Sequence, residues 1–188
     1  MFNTFQIIPT DVIEDASEAD RSALALNVAE LVSAGLASCV DPGEAIGLSQ
    51  DYFDGLHTLA ARYYADRRFD DASLLFSRLV QLRPTELPYL KGLGATQLGL
   101  ERYEEAEKIY SMVYAFDATD PESSYYLGLS QYYLKKFEPA FDNLRFARVL
   151  AEAKPQAASP LAAWATQLLE RMKPLVPPEQ AALIDKRG

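Results

Sequence analysis

Cysteine, histidine and tryptophan each occur once in the 188 residues, and basic side chains are outnumbered by acidic ones, 18 to 27. Each shortage removes a class of protein. A single thiol, Cys39, cannot close an internal disulfide, and there is no CxxC pair, so a stapled secreted scaffold is excluded and a reducing compartment fits. His57 has no second histidine and no cysteine at ligand spacing, so no metal site is expected. The formal charge of −9 argues against nucleic acid, because that binding scales with Lys and Arg contacts to phosphate. No stretch approaches the roughly 18 apolar residues of a membrane span, and the opening MFNTFQIIPTDVIED lacks a basic segment followed by a long apolar run. Neither membrane insertion nor an export signal is expected. Common catalytic motifs are missing too: there is no GxSxG or HExxH and no phosphate-binding P-loop, and Gly92-x-Gly94 lacks both a third glycine and a preceding strand. Glu104, Glu105 and Glu107 read as a solvated helix face. No cofactor and no catalysis are expected.

The chain does contain a repeat. Leu59, Leu93 and Leu127 step by 34 residues, as do Ala60, Gly94 and Gly128, then Phe69, Tyr103 and Phe137, then Ala72, Ala106 and Ala140. A helix-turn-helix unit of this length, with Leu followed by Ala or Gly on its first helix and Ala on its second, is the tetratricopeptide (TPR) pattern. The columns predict that small meets small where the two helices of a unit cross. The fold class expected is all-α: three tandem TPR helix pairs, at about 53–86, 87–120 and 121–154, forming a short right-handed superhelix within one domain. Turns are expected at Asp66-Arg67-Arg68 and Pro84, and Pro121 suits a helix start because its missing amide costs little there.

Two helices flank the repeats. Residues 1–16 read as a flexible arm; Ser17, followed by Glu18 and Asp20, then caps an N-terminal helix. Its stripe of Leu24, Val28, Leu31 and Val32 must bury against the repeats or against a second copy, and is taken as a dimer interface. Asp41-Pro42-Gly43 ends this segment. Within 155–174 a last helix opens at Ser159-Pro160 and puts Leu161, Trp164, Leu168 and Met172 on one side, the face a repeat array needs to cover its final unit. Residues 175–188, rich in proline at their start, are expected to be a mobile tail with at most one helical turn.

First helices of TPR units line the inner surface. With Phe53, Leu87 and Pro121 as first positions, the inward residues are His57, Ala61 and Tyr64, then Lys91, Ala95 and Leu98, then Tyr125, Leu129 and Tyr132. A solvated surface without a partner is usually richer in Lys and Glu, so this wall reads as a site for something apolar. Tyrosine offers a flat apolar face and one polar tip at low entropic cost, which suits an extended, proline-containing peptide. The plainer reading is that these tyrosines and leucines fill the core.

Three stretches, LSQDYFDGLHTLA (Leu48 to Ala60), GLGA (Gly92 to Ala95) and RYEEAEKIY (Arg102 to Tyr110), resemble the class II chaperones of type III secretion translocators, over about Gly35 to Lys154. The resemblance implies a bacterial cytoplasmic chaperone that keeps pore-forming translocators soluble and apart before export. It implies that a short Pro-x-Leu-x-x-Pro segment of them lies in the concave groove, and that the chaperone often forms a homodimer through the N-terminal helix. Tyr64 and Tyr110 match family aromatics and Phe69 a usual Tyr or Phe, so Tyr110 and Phe69 join the groove set. His57 and Ala61 stand where the family often has larger aromatics, which predicts a wider or wetter pocket. Other readings are a TPR adaptor joining two proteins and a needle-subunit chaperone, whose groove holds a helix. An adaptor that clamps a terminal carboxylate needs several cationic groove residues, and only Lys91 qualifies. Leu175 and Pro178 supply Leu-x-x-Pro, half of the partner motif, so self-occupation of a groove by the tail is a further reading.

Overall fold

A computed structural model describes residues 42–45, 47–153 and 160–182. The expected arm at 1–16 and the interface stripe Leu24, Val28, Leu31 and Val32 lie outside the described residues. After a helical turn at Pro42–Ala45 come α1 (Gln50–Ala65), α2 (Phe69–Leu82), α3 (Leu87–Gly99), α4 (Tyr103–Phe116), α5 (Pro121–Tyr133), α6 (Phe137–Ala153) and α7 (Leu161–Met172). All regular structure among the described residues is helical, and three helix pairs stand where the columns put them. The chain divides into two compact units, one ending at Pro84 and one starting at Thr85, where length suggested a single domain.

The first unit holds α1 and α2. Ser49 starts α1, its hydroxyl accepting the amide of Tyr52 at 3.4 Å, and Phe53, Leu56, Ala60 and Tyr63 then bury one face. Residues beyond α2 tie back to that start. The Arg83 guanidinium lies 3.8 Å from the Phe53 ring centroid and donates to Gln50 Oε1 at 2.8 Å, so a cation–π contact covers the buried ring.

Each pair turns through the same device. Arg67, Glu101 and Lys135, spaced by 34 residues, have φ of 61°, 59° and 60°, the left-handed region. At the first turn the Arg67 amide donates to the Tyr64 carbonyl and the Arg68 amide to the Tyr63 carbonyl, and the same pair of bonds recurs at Glu101–Arg102 and Lys135–Lys136. This is the Schellman ending of a helix, which glycine usually provides and these charged residues adopt at a steric cost.

In the second unit the crossings are tight. A Cβ on Gly128 would lie 2.8 Å from Leu144 Cγ and 3.1 Å from the Ala140 carbonyl oxygen, so there α5 comes close to the α6 backbone at Ala140, with the larger Leu144 side chain nearest. Gly94 differs from the expectation. Its missing Cβ faces the ring of Tyr110, 2.8 Å away, and Ile109 at 3.2 Å, so small meets large and Ala106 is buried beside the crossing.

Helix α7 covers α6 through Leu161, Ala165, Leu168, Leu169 and Met172, and the last three join Ala140, Phe141 and Leu144 in one cluster. Trp164, expected on that face, is 45% exposed. Of the expected tail the described residues reach Ala182 and include the one helical turn allowed for it. Lys173–Leu175 form a 3-10 turn, Val176 is buried in the same cluster, and Ala181, in a helical turn at Pro178–Ala181, packs against it. An apolar side chain with core to reach anchors a segment that proline content alone marked as mobile.

Gly128→Leu is expected to lower stability by about 1–3 kcal/mol through overpacking, read by urea unfolding. Glu101→Gly should act the other way, raising stability by about 0.5–1 kcal/mol once the glycine's extra unfolded-state freedom is subtracted from the relieved strain.

Candidate functional site

Helix α1 presents the first unit's wall. Tyr64 is 40% exposed and its ring is tilted on Phe69, centroids 5.5 Å apart, so the end of α1 and the start of α2 form one aromatic corner. One turn back, Ala61 is exposed, leaving the surface beside the corner shallow. His57 is half-buried, its ring edge-on to Phe76 at 5.9 Å, so it stands between wall and core.

In the second unit α3 and α5 carry the wall. Lys91 Nζ lies 2.7 Å from Asp120 Oδ2 and 3.0 Å from Glu122 Oε2. Asp120 also caps α5, accepting the amides of Ser123 at 3.0 Å and Glu122 at 3.4 Å, so one carboxylate starts a helix and fastens its neighbour to it. Burial pulls the Lys91 pKa down, but the hydrogen bonds and charges of Asp120 and Glu122 outweigh it and raise it above the ordinary 10.5. The ammonium is thus permanent and already matched by two carboxylates. Beside it Ala95 and Leu98 are half-buried and add only apolar surface.

Tyr110 was placed on the wall by resemblance and lies beneath it, 1% exposed. Its ring fills the space Gly94 leaves, its hydroxyl donates to the Lys91 carbonyl at 3.3 Å, and Tyr126 stacks on it at 5.2 Å. A 34-residue step shows why: Tyr110 shares a column with Phe76 and Leu144, both buried.

Tyr125, Leu129 and Tyr132 are half-buried and rest on the cluster that α7 completes. The wall and core readings therefore both describe them, one face inward and the remainder open. The sequence reading missed four neighbours: Tyr126, edge-on to Tyr125 at 5.2 Å; Tyr133, 50% exposed and edge-on to Tyr132; Tyr103, stacked on Tyr133 at 4.5 Å; and Trp164, 6.2 Å from Tyr125. Tyr103 was visible in a repeat column with Phe69 and Phe137. The others had no such signal, because the register rule takes three positions per helix and α7 lies outside the repeat. Burial first, and then the neighbouring Tyr133, raise the Tyr125 pKa; burial, Glu101 and Tyr133 raise that of Tyr103.

Flat rings with hydroxyl tips, on a unit whose inward cation is already neutralised, are suited to holding an uncharged stretch of polypeptide by burial. Among the described residues no helix is long and apolar enough to cross a membrane, and no group of three His, Cys, Asp or Glu is placed to hold a metal ion.

No family model and no curated protein matches the sequence. Solved structures do match. A type III secretion system complex from Aeromonas hydrophila shares 29% identity over 76% of this chain and 95% of that one, with a TM-score of 0.69. PcrH of Pseudomonas aeruginosa, in complex with the chaperone binding region of PopD, shares 31% identity over 68% of this chain and 96% of its own, TM-score 0.64. The type III secretion chaperone SycD of Yersinia enterocolitica, with a peptide of the translocator YopD, shares 25% over 66% of this chain and 95% of its own, TM-score 0.62.

Lys91, Tyr103 and Tyr125 all have folded-state pKa values raised above ordinary values of 10.5, 10.0 and 10.0. A raised folded value contributes stability that is complete below the unfolded value and lost as pH rises through the folded one. The unfolding free energy is therefore expected to hold steady across neutral pH and fall above about 10, in step with tyrosinate absorbance, and Lys91→Met should make that fall shallower.

Proposed function

We infer the function from membership: this chain belongs to the class II chaperones of type III secretion translocators. It binds an extended, apolar segment of a translocator along its aromatic walls and keeps that hydrophobic partner soluble and apart from others before export. Support comes from relatives, since PcrH is seen with the chaperone binding regions of both PopB and PopD and SycD with a YopD peptide. The observation in this chain that carries the reading is the α5 face, where Tyr125, Leu129 and Tyr132 keep part of their apolar surface open on a helix whose start, through Asp120 and Glu122, already neutralises Lys91. That pairing disfavours the adaptor reading, because a lysine engaged by two carboxylates has little left for a partner's terminal carboxylate. Binding works by mass action in the cytoplasm, without turnover: a partner segment that is bound is withdrawn from aggregation. The acidic excess keeps the complex soluble.

Co-expression with a type III translocator, followed by co-purification, tests this directly; a translocator that stays insoluble and does not co-purify overturns it. Tyr64→Ala and Tyr132→Ala should each weaken the complex about tenfold while leaving helix content intact. Parallel loss of fold would place these rings in the core.

A further inference from the structure

Helix α7 lies outside the repeats, and its buried stripe is complete without its tryptophan. Leu161, Ala165, Leu168, Leu169 and Met172 recur at helical spacing and meet the core. Trp164 stands one residue from Ala165, on the flank, with 45% of its surface in water. A terminal covering helix needs a polar outer side, and the most amphipathic large ring in the repertoire is a poor choice there unless it is used. The flank it occupies borders the wall. Its ring is 6.2 Å from Tyr125 with a 42° tilt, Tyr125 is edge-on to Tyr126 at 5.2 Å, and Tyr126 stacks on the buried Tyr110. Trp164 is thus the exposed end of a continuous row of rings whose other end is fixed in the core.

We propose that Trp164 is a ligand-contacting residue, and that α7 thereby extends the translocator-binding wall of α5 by one subsite, formed with Tyr125, that takes a proline or other compact apolar side chain of the extended partner segment. The inference rests on the chaperone reading. Continuity with that wall argues for the same segment as occupant: Tyr125 and Tyr132 lie seven residues apart on α5, about 10 Å along its axis. An extended chain advances about 3.1–3.4 Å per residue, so three residues carry it from one ring to the other, and a side chain seated on Tyr125 is within reach of Trp164, whose ring is 6.2 Å away. Two flat faces set at an angle suit a pyrrolidine ring, which loses little freedom on docking.

Trp164 is the only tryptophan, so it reports on its own surroundings. Intrinsic fluorescence and calorimetry of the full chain are titrated with a tryptophan-free synthetic peptide carrying Pro-x-Leu-x-x-Pro. The expected result is a blue shift that saturates with the calorimetric isotherm, an affinity weakened about five- to tenfold in Trp164→Ala, and recovery in Trp164→Phe, with unfolding midpoints unchanged. Calorimetric binding with unmoved emission and undiminished affinity in Trp164→Ala overturns the subsite and leaves the chaperone reading standing. A lower unfolding midpoint in Trp164→Ala without a fluorescence response in the parent assigns the ring to the cover and also overturns it. No heat of binding in the parent overturns the chaperone reading, and the subsite with it.

Discussion

Where α3 crosses α4, and where α5 crosses α6, there is room for a backbone and nothing more. A single added methyl on Gly94 or Gly128 would sit 2.8 Å from a neighbouring side-chain carbon, inside any normal contact. The wall follows from the first crossing. With no Cβ at Gly94 the Tyr110 ring lies flat against the α3 backbone, its hydroxyl is held by the Lys91 carbonyl, and its other face becomes the platform for Tyr126. Tyr125 is set edge-on to that platform and Trp164 beyond it. At the second crossing Leu144 takes the equivalent place, and it belongs to the cluster that receives α7 and Val176. Tyr126 and, through it, Tyr125 are therefore supported from beneath by a buried ring, which would leave the proposed surface shaped in advance and only the partner's chain to be ordered.

The electrostatics of that surface point the same way. Lys91 is the one full cation at a first-helix inward position of the second unit, and its two carboxylate partners both come from the start of α5. The cluster has one positive and two negative charges, which leaves it slightly acidic and internally satisfied. Recognition is then left to area and shape, with the hydroxyl tips of the tyrosines providing hydrogen bonds that an extended backbone can use. Such a surface is also a hazard, since contiguous apolar patches invite self-association. Here the hazard is contained because Tyr125, Leu129 and Tyr132 each bury a face on the core and Tyr103 and Tyr133 cover one another.

The helix pairs were legible because the repeat imposes its spacing on every layer of the structure. The ends of α1, α3 and α5, the starts of α2, α4 and α6, the left-handed turns at Arg67, Glu101 and Lys135, and the buried Ala72, Ala106 and Ala140 all fall on one 34-residue period. What a period cannot convey is which of two large residues at a crossing goes under and which stays out. Tyr110 illustrates this: likeness to a family placed it on the surface, whereas its column with Phe76 and Leu144 placed it in the core. Outside the period the sequence carried only helical spacing and composition. Trp164 was grouped with the cover because it lies at i+3 from Leu161, but a helix stripe has edges, and the edge position faces Tyr125 instead. Prolines at 174, 177 and 178 suggested a mobile tail, and Val176 between them ties its first described residues to the core.

A chaperone of this kind must also let go. Rings that each contribute on the order of 1 kcal/mol give a complex tight enough to compete with aggregation when several act together, yet no single contact whose loss is a barrier to release. Ion pairs buried against a partner would behave differently, because separating them leaves a desolvated charge on each side. Lys91 avoids that situation by being paired within its own chain, and its charge is matched whether or not a partner is present. On the proposed wall, that pairing does not depend on whether a segment is present, so neither binding nor release has to uncover a desolvated charge, and affinity is left to how well apolar burial outweighs the cost of ordering the segment.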